Sequence, residues 1–496
     1  MHRLCARRVV WRRGLHERRS RTNSHWALKP EFRIYREASH VVFFNRNPYE
    51  AHVRYRLPPA VAFVAALFGT GHAEDEVAQA VTDTFSCSPV TASEKVNDVV
   101  DLLRDSVLVE SRDVNEKWAS FSAHKEQLVD LLYLPTDTET VRAHIPYNLA
   151  YVMTRRCVRN CLYCYASAGT KVPFEEDRMQ RARVMDIIAE AGRLGVSLIS
   201  MSGGDPFVCP ETKDYMLHAL DNQIVPWVST KAFVNASTAN ELGRAGLPII
   251  QVSIDSIDPD TQDRLCGIKG SLQDLKKTIT HFAMAGVDVY TNSVVTSANI
   301  AGIPRLVEWL LNNGVACCLL TPYTNSAGRH DDSLFPSAAE WDLLRSWEKT
   351  SDPLRVQLRF TKGVAAGGDN DPGKTPPDTD GTARSRCTAG REGFAFSWNG
   401  DVSPCERLVS SQIREAVVGT LAEQSIEDVW DSPKLKRLAM PSRSDCAGTA
   451  CEECDEFEEC LKMGGRCMIR SWLSYGVLLG PDPLCSHAPP SPVRIF

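Results

Sequence analysis

Residues Asn148-Leu-Ala-Tyr-Val-Met-Thr-Arg-Arg-Cys157-Val-Arg-Asn-Cys161-Leu-Tyr-Cys164 join an apolar strand to three cysteines. The strand, Leu149–Met153, is the first of six; the others lie near Ser197–Met201, Val225–Ser229, Ile249–Ile254, Val287–Ser293 and Ala316–Leu320. Helical periodicity fills the gaps. Asp177–Arg193 sets Val184, Ile187, Ile188 and Ala191 on one face, and Ser271–Ala285 does the same with Leu272, Leu275, Ile279 and Phe282. Strands alternating with helices imply a parallel sheet with right-handed crossovers. Six units fall short of the eight that close a TIM barrel, so the expected fold is α/β, an open, partial (β/α)6 TIM-like barrel. Its reactive face is the edge where the strands end, and the three cysteines follow the first strand onto that edge.

The spacing C-x3-C-x2-C places three thiolates on one short loop. A 4Fe–4S cluster normally takes four, so three leave one iron open to an exogenous ligand. The plainer readings are a zinc site or a disulfide pair; zinc usually draws four ligands from paired knuckles, which a run of three does not supply. With Tyr163 before the last cysteine, this stretch resembles the signature of the radical S-adenosylmethionine (SAM) superfamily. The resemblance implies that Cys157, Cys161 and Cys164 hold the cluster and that its open iron chelates the methionyl group of SAM. It also implies reductive cleavage to a 5′-deoxyadenosyl radical, the difficult chemistry residing in the cofactor.

Further matches follow in order. Ser202-Gly203-Gly204-Asp205-Pro206, after the second strand, resembles the superfamily's Gly-Gly-Glu-Pro motif, with glycines letting backbone carbonyls approach the methionyl ammonium. Asp205 stands where Glu is usual and is one methylene shorter. Ser253 and Asp255 at the end of the fourth strand, and Arg264 beyond, resemble the ribose and carboxylate contacts. Taken singly, each would be a turn, a strand hydroxyl or a surface charge. Cys266 has no role in this pattern.

A second cysteine set begins at Cys387 and runs through Phe394-Ala-Phe-Ser-Trp-Asn399-Gly400 to Cys405. Asn399-Gly400 is the preferred two-residue hairpin turn and brings the two cysteines together. Cys451, Cys454, Cys460, Cys467 and Cys485 follow. This arrangement resembles the SPASM extension of radical enzymes that act on peptides and proteins. The resemblance implies one auxiliary 4Fe–4S cluster on Cys387, Cys405 and Cys467 and another on Cys451, Cys454, Cys460 and Cys485. Cys446 is available to the first of these, or one iron stays open to substrate. Glu406 stands where some relatives carry a catalytic Asp that removes a substrate proton. A structural zinc ribbon and a solvated surface Glu are the bland alternatives.

Upstream, alternating runs at Phe32–Tyr35, Val41–Phe44 and Ala51–Leu57 read as a strand meander. Helices follow over Pro58–Phe68, Ala73–Phe85 and Thr91–Ser106, the last with Val96, Val99, Leu102 and Leu103 at helical spacing. This winged-helix-like order resembles the peptide-recognition module of ribosomal peptide maturases, similar to the small protein of pyrroloquinoline quinone biosynthesis. In that family a leader peptide adds as a strand to an exposed edge, here near Ala51–Leu57. A DNA-binding reading is opposed by the third helix, where Glu94, Asp98, Asp101, Asp105 and Glu110 outnumber Lys95 and Arg104 and would repel phosphates.

The expected organisation is a basic, disordered tail over 1–30, a recognition module over 31–111 and a barrel over 146–335. A helix and flexible linker over 336–386 and a SPASM-like domain over 387–488 complete it. The chain's 496 residues exceed the ~250–300 of a single core. Nine Lys/Arg against Glu17 make the head basic, without the apolar stretch and cleavage site of a secretory signal. No apolar run approaches the ~18 residues that cross a bilayer. An odd count of 17 cysteines in a long chain without export signal favours metal over disulfides.

The expectation is a cytoplasmic oxidoreductase modifying a ribosomally made peptide through a thioether or carbon–carbon cross-link, its electrons drawn from a donor such as flavodoxin or ferredoxin. Membrane and nucleic acid are not expected partners. The alternatives are a maturase oxidising a Cys or Ser side chain of a folded protein, a cofactor-forming relative, and a zinc-stabilised binding protein without catalysis.

Overall fold

Short strands and amphipathic helices open the chain. In order these are β1 (Trp26–Leu28), β2 (Phe32–Arg36), β3 (Val41–Asn45), β4 (Arg54–Leu57), α1 (Pro59–Gly69), α2 (Glu74–Phe85), α3 (Pro89–Leu103) and β5 (Leu108–Glu110). The computed structural model describes residues 26–37, 41–47, 54–113, 142–325, 328–352, 355–358 and 387–494. Two compact units emerge, one drawn from Met1–Lys29 and Val64–Val114, the other from Pro30–Phe63 and Asn115–Phe496.

In the first unit β1 pairs antiparallel with β5. Ser88 caps α3, its side chain accepting from Thr91 N at 3.1 Å, and Pro89 occupies the first turn, where a missing N–H costs nothing. The buried stripe of α3 is Ala92, Val96, Val99, Val100 and Leu103. Leu102, expected in that stripe, is 57% exposed, because one further residue turns it about 100° away from Leu103. The basic head lies outside the described residues up to 25; its described end supplies β1.

In the second unit, β2, β3 and β4 form an antiparallel sheet in that order. Tyr35 stacks on Tyr147 at 4.1 Å between ring centroids, and its hydroxyl donates to the Gly195 carbonyl at 2.9 Å. Buried Glu37 accepts from the Tyr147 hydroxyl and from His144 N at 3.2 Å. The meander is thus fastened to the start of the barrel. Of the segment expected as its third strand, 51–53 lie outside the described residues.

The barrel elements are β6 (Asn148–Thr154), α4 (Arg181–Leu194), β7 (Leu198–Gly203), α5 (Thr212–Asp221), β8 (Val225–Thr230), α6 (Ala236–Arg244), β9 (Ile249–Ser253), α7 (Pro259–Cys266), α8 (Ser271–Met284), β10 (Asp288–Val295), α9 (Ile303–Asn312), β11 (Val315–Pro322), α10 (Ala338–Glu348) and β12 (Val356–Leu358). The expected faces of α4 and α8 are buried. The described C-terminal elements are β13 (Gly393–Ser397), β14 (Asp401–Ser403), α11 (Glu406–Ser410), β15 (Gly419–Thr420), α12 (Ile426–Trp430), α13 (Pro433–Ala439), α14 (Phe457–Met463) and α15 (Met468–Tyr475).

One ten-stranded sheet runs β12-β11-β10-β9-β8-β7-β6-β13-β14-β15, open at both ends. It departs from the six-strand expectation twice. β12 adds parallel to β11, its three residues too few for a periodic signal. β13 adds parallel to β6, Phe396 stacking on Tyr151 at 4.6 Å, so the cysteine-bearing hairpin is annexed to the barrel edge. The hairpin itself forms with a three-residue connection, Trp398 to Gly400, in place of two residues. Gly400 takes φ +94° there, a value that favours glycine.

Candidate active site at the barrel mouth

The cluster loop is held by its backbone. Cys157 N donates to Gly169 O at 3.1 Å and Gly169 N to Arg155 O at 3.2 Å, closing the base of the loop. Its far side docks on α7, where Asn160 N donates to Cys266 O at 2.8 Å and Leu162 N to Leu265 O at 3.0 Å. Arg329 clamps the third side, donating through its backbone N to Cys164 O at 3.0 Å and through its guanidinium to Cys161 O at 2.7 Å and to Ala168 O. Cys157, Cys161 and Cys164 are half-buried, unbridged thiols.

The Gly-Gly turn after β7 serves a different neighbour from the one expected. A Cβ on Gly204 would lie 1.8 Å from Arg156 O, and one on Gly203, at φ +118°, 2.3 Å from Thr154 O. The glycines let the turn meet the strand that leads into the cluster loop, with Gly204 N donating to Thr154 O at 2.6 Å. The Asp205 carboxylate accepts from Thr230 Oγ1 at 2.8 Å, Lys231 N at 2.7 Å and Phe207 N at 3.0 Å, opening the Pro206 turn. Burial raises its pKa above the usual carboxylate value, partly offset by these bonds. The shorter Asp thus braces β7 against β8.

Tyr163, Lys231 and Asp255 meet beside the loop. The Tyr163 hydroxyl donates to Asp255, and the Lys231 ammonium donates to both. Asp255 also accepts from Val294 N at 3.0 Å. Ser253 lies on the barrel interior, 3.2 Å from Ser229 Oγ. Arg264 is exposed on α7 and turned to solvent. Buried Cys266 accepts from Gln262 Nε2 at 2.9 Å and lies 3.8 Å from Lys231 Nζ. A hydrogen bond from Cys266, then the Lys231 charge, draw the Cys161 thiol down to about 6 against the effect of burial. Burial pushes Cys157 up to about 12.

Three unbridged thiols on a braced loop are the donor set a site-differentiated iron–sulfur cluster requires. Nearby, Ser202 Oγ is buried without a hydrogen-bond partner among the described residues, a polar group left over for a ligand. The residues fit the cofactor pair.

The later cysteines fall into two groups. Burial pushes the Cys405 thiol up to about 12, and Cys387 and Cys467 raise it further. Burial likewise pushes Cys451 up to about 11, the charge of Arg466 opposing, with Cys446, Cys460 and Cys485 adding to the rise. Cys446, considered for the first group, therefore sits with the second, its sulfur accepting from Arg466 Nη1 at 2.9 Å. Gly464, at φ +62°, lets Cys387 N donate to its carbonyl at 2.9 Å. Glu406 opens α11 directly after Cys405 and accepts from the Tyr165 hydroxyl at 2.5 Å. The residue after Cys164 thereby touches the residue after Cys405.

Sequence reading passed over Lys231, Arg329, Tyr165 and Gly328. A charged residue just past a barrel strand is a signal of function and marks Lys231. The Arg329 clamp has no local pattern.

The parallel sheet with its loop of three cysteines defines a radical SAM domain: residues 151–310 match the radical SAM superfamily profile. Residues 387–455 match the SPASM iron–sulfur cluster-binding domain, so the chain is a radical SAM enzyme of the SPASM-bearing kind, one that uses SAM and iron–sulfur clusters.

It is similar to the AdoMet-dependent heme synthase of Nitratidesulfovibrio vulgaris, 23% identical over 69% of this chain and 92% of that protein. It is also similar to the PqqA peptide cyclase of Granulibacter bethesdensis, 24% identical over 69% of this chain and 88% of that protein. In fold it resembles Streptococcus suis SuiB bound to precursor peptide SuiA, with a TM-score of 0.62 at 15% identity, covering 93% of this chain and all of that one. Among the described residues no helix is long and apolar enough to cross a membrane.

Proposed function

We propose that the protein modifies a ribosomally made peptide, forming a thioether or carbon–carbon cross-link or a related oxidation. The observation that carries this is the Tyr165–Glu406 contact, which joins the cluster loop to the auxiliary hairpin and leaves one carboxylate between the two cysteine regions. In this reading Cys157, Cys161 and Cys164 hold the SAM-binding cluster. Cys387, Cys405 and Cys467 hold one auxiliary cluster, and Cys451, Cys454, Cys460 and Cys485 hold a second. Bound and reduced, the SAM-binding cluster would supply a radical able to abstract hydrogen from the peptide.

The chain's own groups do the rest. Tyr163, Asp255 and Ser253 line the cofactor bay, while Asp205, Gly203, Gly204 and Pro206 fix the turn that braces the cluster loop. Half-buried Glu406 accepts the proton that the substrate loses, with the Tyr165 hydroxyl orienting it. A leader peptide adds to the β4 edge of the three-stranded sheet, as expected of β-augmentation. That the fold likeness to a peptide-bound maturase extends over 93% of the chain supports a peptide over a small molecule. Electrons come from a flavodoxin or ferredoxin.

The test is an anaerobic reaction of the reconstituted full chain with SAM, reductant and short precursor peptides encoded near its gene, read by mass spectrometry. Loss of two hydrogens from a peptide, dependent on its leader, is the expected result; conversion of a leaderless or non-peptide substrate alone would overturn the reading.

A further inference from the structure

The cation expected for the SAM carboxylate, Arg264, is exposed on α7 and points away from the cluster loop. A zwitterionic methionyl group still needs a positive partner for its carboxylate, since an unpaired buried charge costs several kcal/mol. The described cations around the mouth are otherwise engaged. Arg329 is spread over the carbonyls of Cys161 and Ala168. Arg159 pairs with Asp274 at 3.4 Å, and Arg155 donates to Gln412 at 3.0 Å. Arg156 lies over the Phe174 ring at 5.0 Å.

Lys231 differs from all of these. It follows β8 at the edge where the cluster loop sits, and its side chain is 12% exposed, buried enough to be desolvated yet open to the bay. Two of its three ammonium protons go to Asp255 and Tyr163, both on the same side. The third faces Cys266 Sγ at 3.8 Å, too long for a strong hydrogen bond. Its backbone N is fixed by Asp205, so the side chain starts from a rigid point. Asp255 and Asp205 are meanwhile saturated by protein donors, which leaves the bay with an available donor cation and no matching acceptor.

Resting on the radical SAM reading of this bay, we propose that Lys231 is the residue that binds the methionyl carboxylate of SAM, taking the part expected of Arg264. Asp255 and Tyr163 act as positioning residues that aim the ammonium. A point charge on a flexible stem can turn from Cys266 toward the carboxylate without breaking its other two bonds.

The test compares SAM with its decarboxylated analogue, which lacks the carboxylate alone, by equilibrium dialysis against the anaerobically reconstituted full-length protein. Wild type is expected to prefer SAM. Lys231→Gln, which can still donate to Asp255 and Tyr163, is expected to weaken SAM by about ten- to hundredfold, as for loss of a charge-assisted hydrogen bond, while leaving the analogue unchanged. Lys231→Arg keeps the charge and should keep most of the preference.

Because the readout is a ratio between two ligands, partial loss of folded protein does not mimic it; iron content and melting temperature are recorded alongside. Equal weakening of both ligands, an unchanged ratio in Lys231→Gln, or a ratio lost in Arg264→Gln but kept in Lys231→Gln would each overturn the assignment. Failure of wild type to bind SAM at all would instead sink the reading on which it rests.

Discussion

The two cysteine regions reach their sites by opposite routes. Cys157, Cys161 and Cys164 lie within eight residues on a loop pinned by α7, Gly169 and Arg329, and the barrel behind them has a continuous core of buried residues from Tyr147 through Phe282 to Trp430. Cys387 to Cys485 span nearly a hundred residues and rely on a hairpin, a left-handed glycine and a modest core of Leu408, Ile413, Ala416, Leu438, Met468 and Ile469. A region with so few buried apolar side chains gains a large share of its stability from bound clusters, because metal binding there is also folding. The barrel loop is preformed; the auxiliary region is completed by its metal.

Iron removal should separate the two most strongly. Chelation under reducing conditions is expected to raise amide exchange throughout residues 443–485 toward the unstructured rate, while β6 to β11 keep their protection. Equal loss in both regions, or none in either, would break the contrast.

Glu406→Gln probes the bridge between them. Removing the proton acceptor is expected to slow peptide product formation by about 10²- to 10⁴-fold while 5′-deoxyadenosine still forms. Tyr165→Phe, which keeps the carboxylate but loses its orienting hydroxyl, should lie between wild type and that variant. Both are read by product chromatography in single turnover.

The smallest effect contrasts two glycines. Gly204→Ala would press a methyl to 1.8 Å from Arg156 O, and Gly400→Ala would put one 2.6 Å from Ala422 N at φ +94°. Each is expected to cost about 1–3 kcal/mol in urea melts. Gly204→Ala should reduce iron at the SAM-binding loop, whereas Gly400→Ala should reduce only the auxiliary iron, a difference that electron paramagnetic resonance after reduction resolves.

The barrel was legible because its helices are strongly periodic and its strands are bounded by them; α4 and α8 bury the residues their patterns name. β12 escaped notice because three residues cannot carry a period. The parallel pairing of β13 with β6 escaped because it joins residues more than 240 apart in the chain, through ladder bonds and the Tyr151–Phe396 stack. The site was legible where chemistry is local. Cys157 to Cys164 and Asn399-Gly400 declare themselves by spacing and turn type. The purpose of Gly203 and Gly204 was misread because a glycine reports that something lies close without saying what. Lys231 and Arg329 matter through partners on other elements, and Arg264 has the right charge on the wrong face of α7.

The central claim is that the loop from Cys157 to Cys164 supports reductive cleavage of SAM. The direct measurement is 5′-deoxyadenosine formed by the full-length protein, reconstituted under argon and given dithionite. Wild type is predicted to form it and Cys157→Ala/Cys161→Ala/Cys164→Ala to form none, with the auxiliary cysteines intact in both. No product from wild type, or the same amount from the triple variant, would contradict the account.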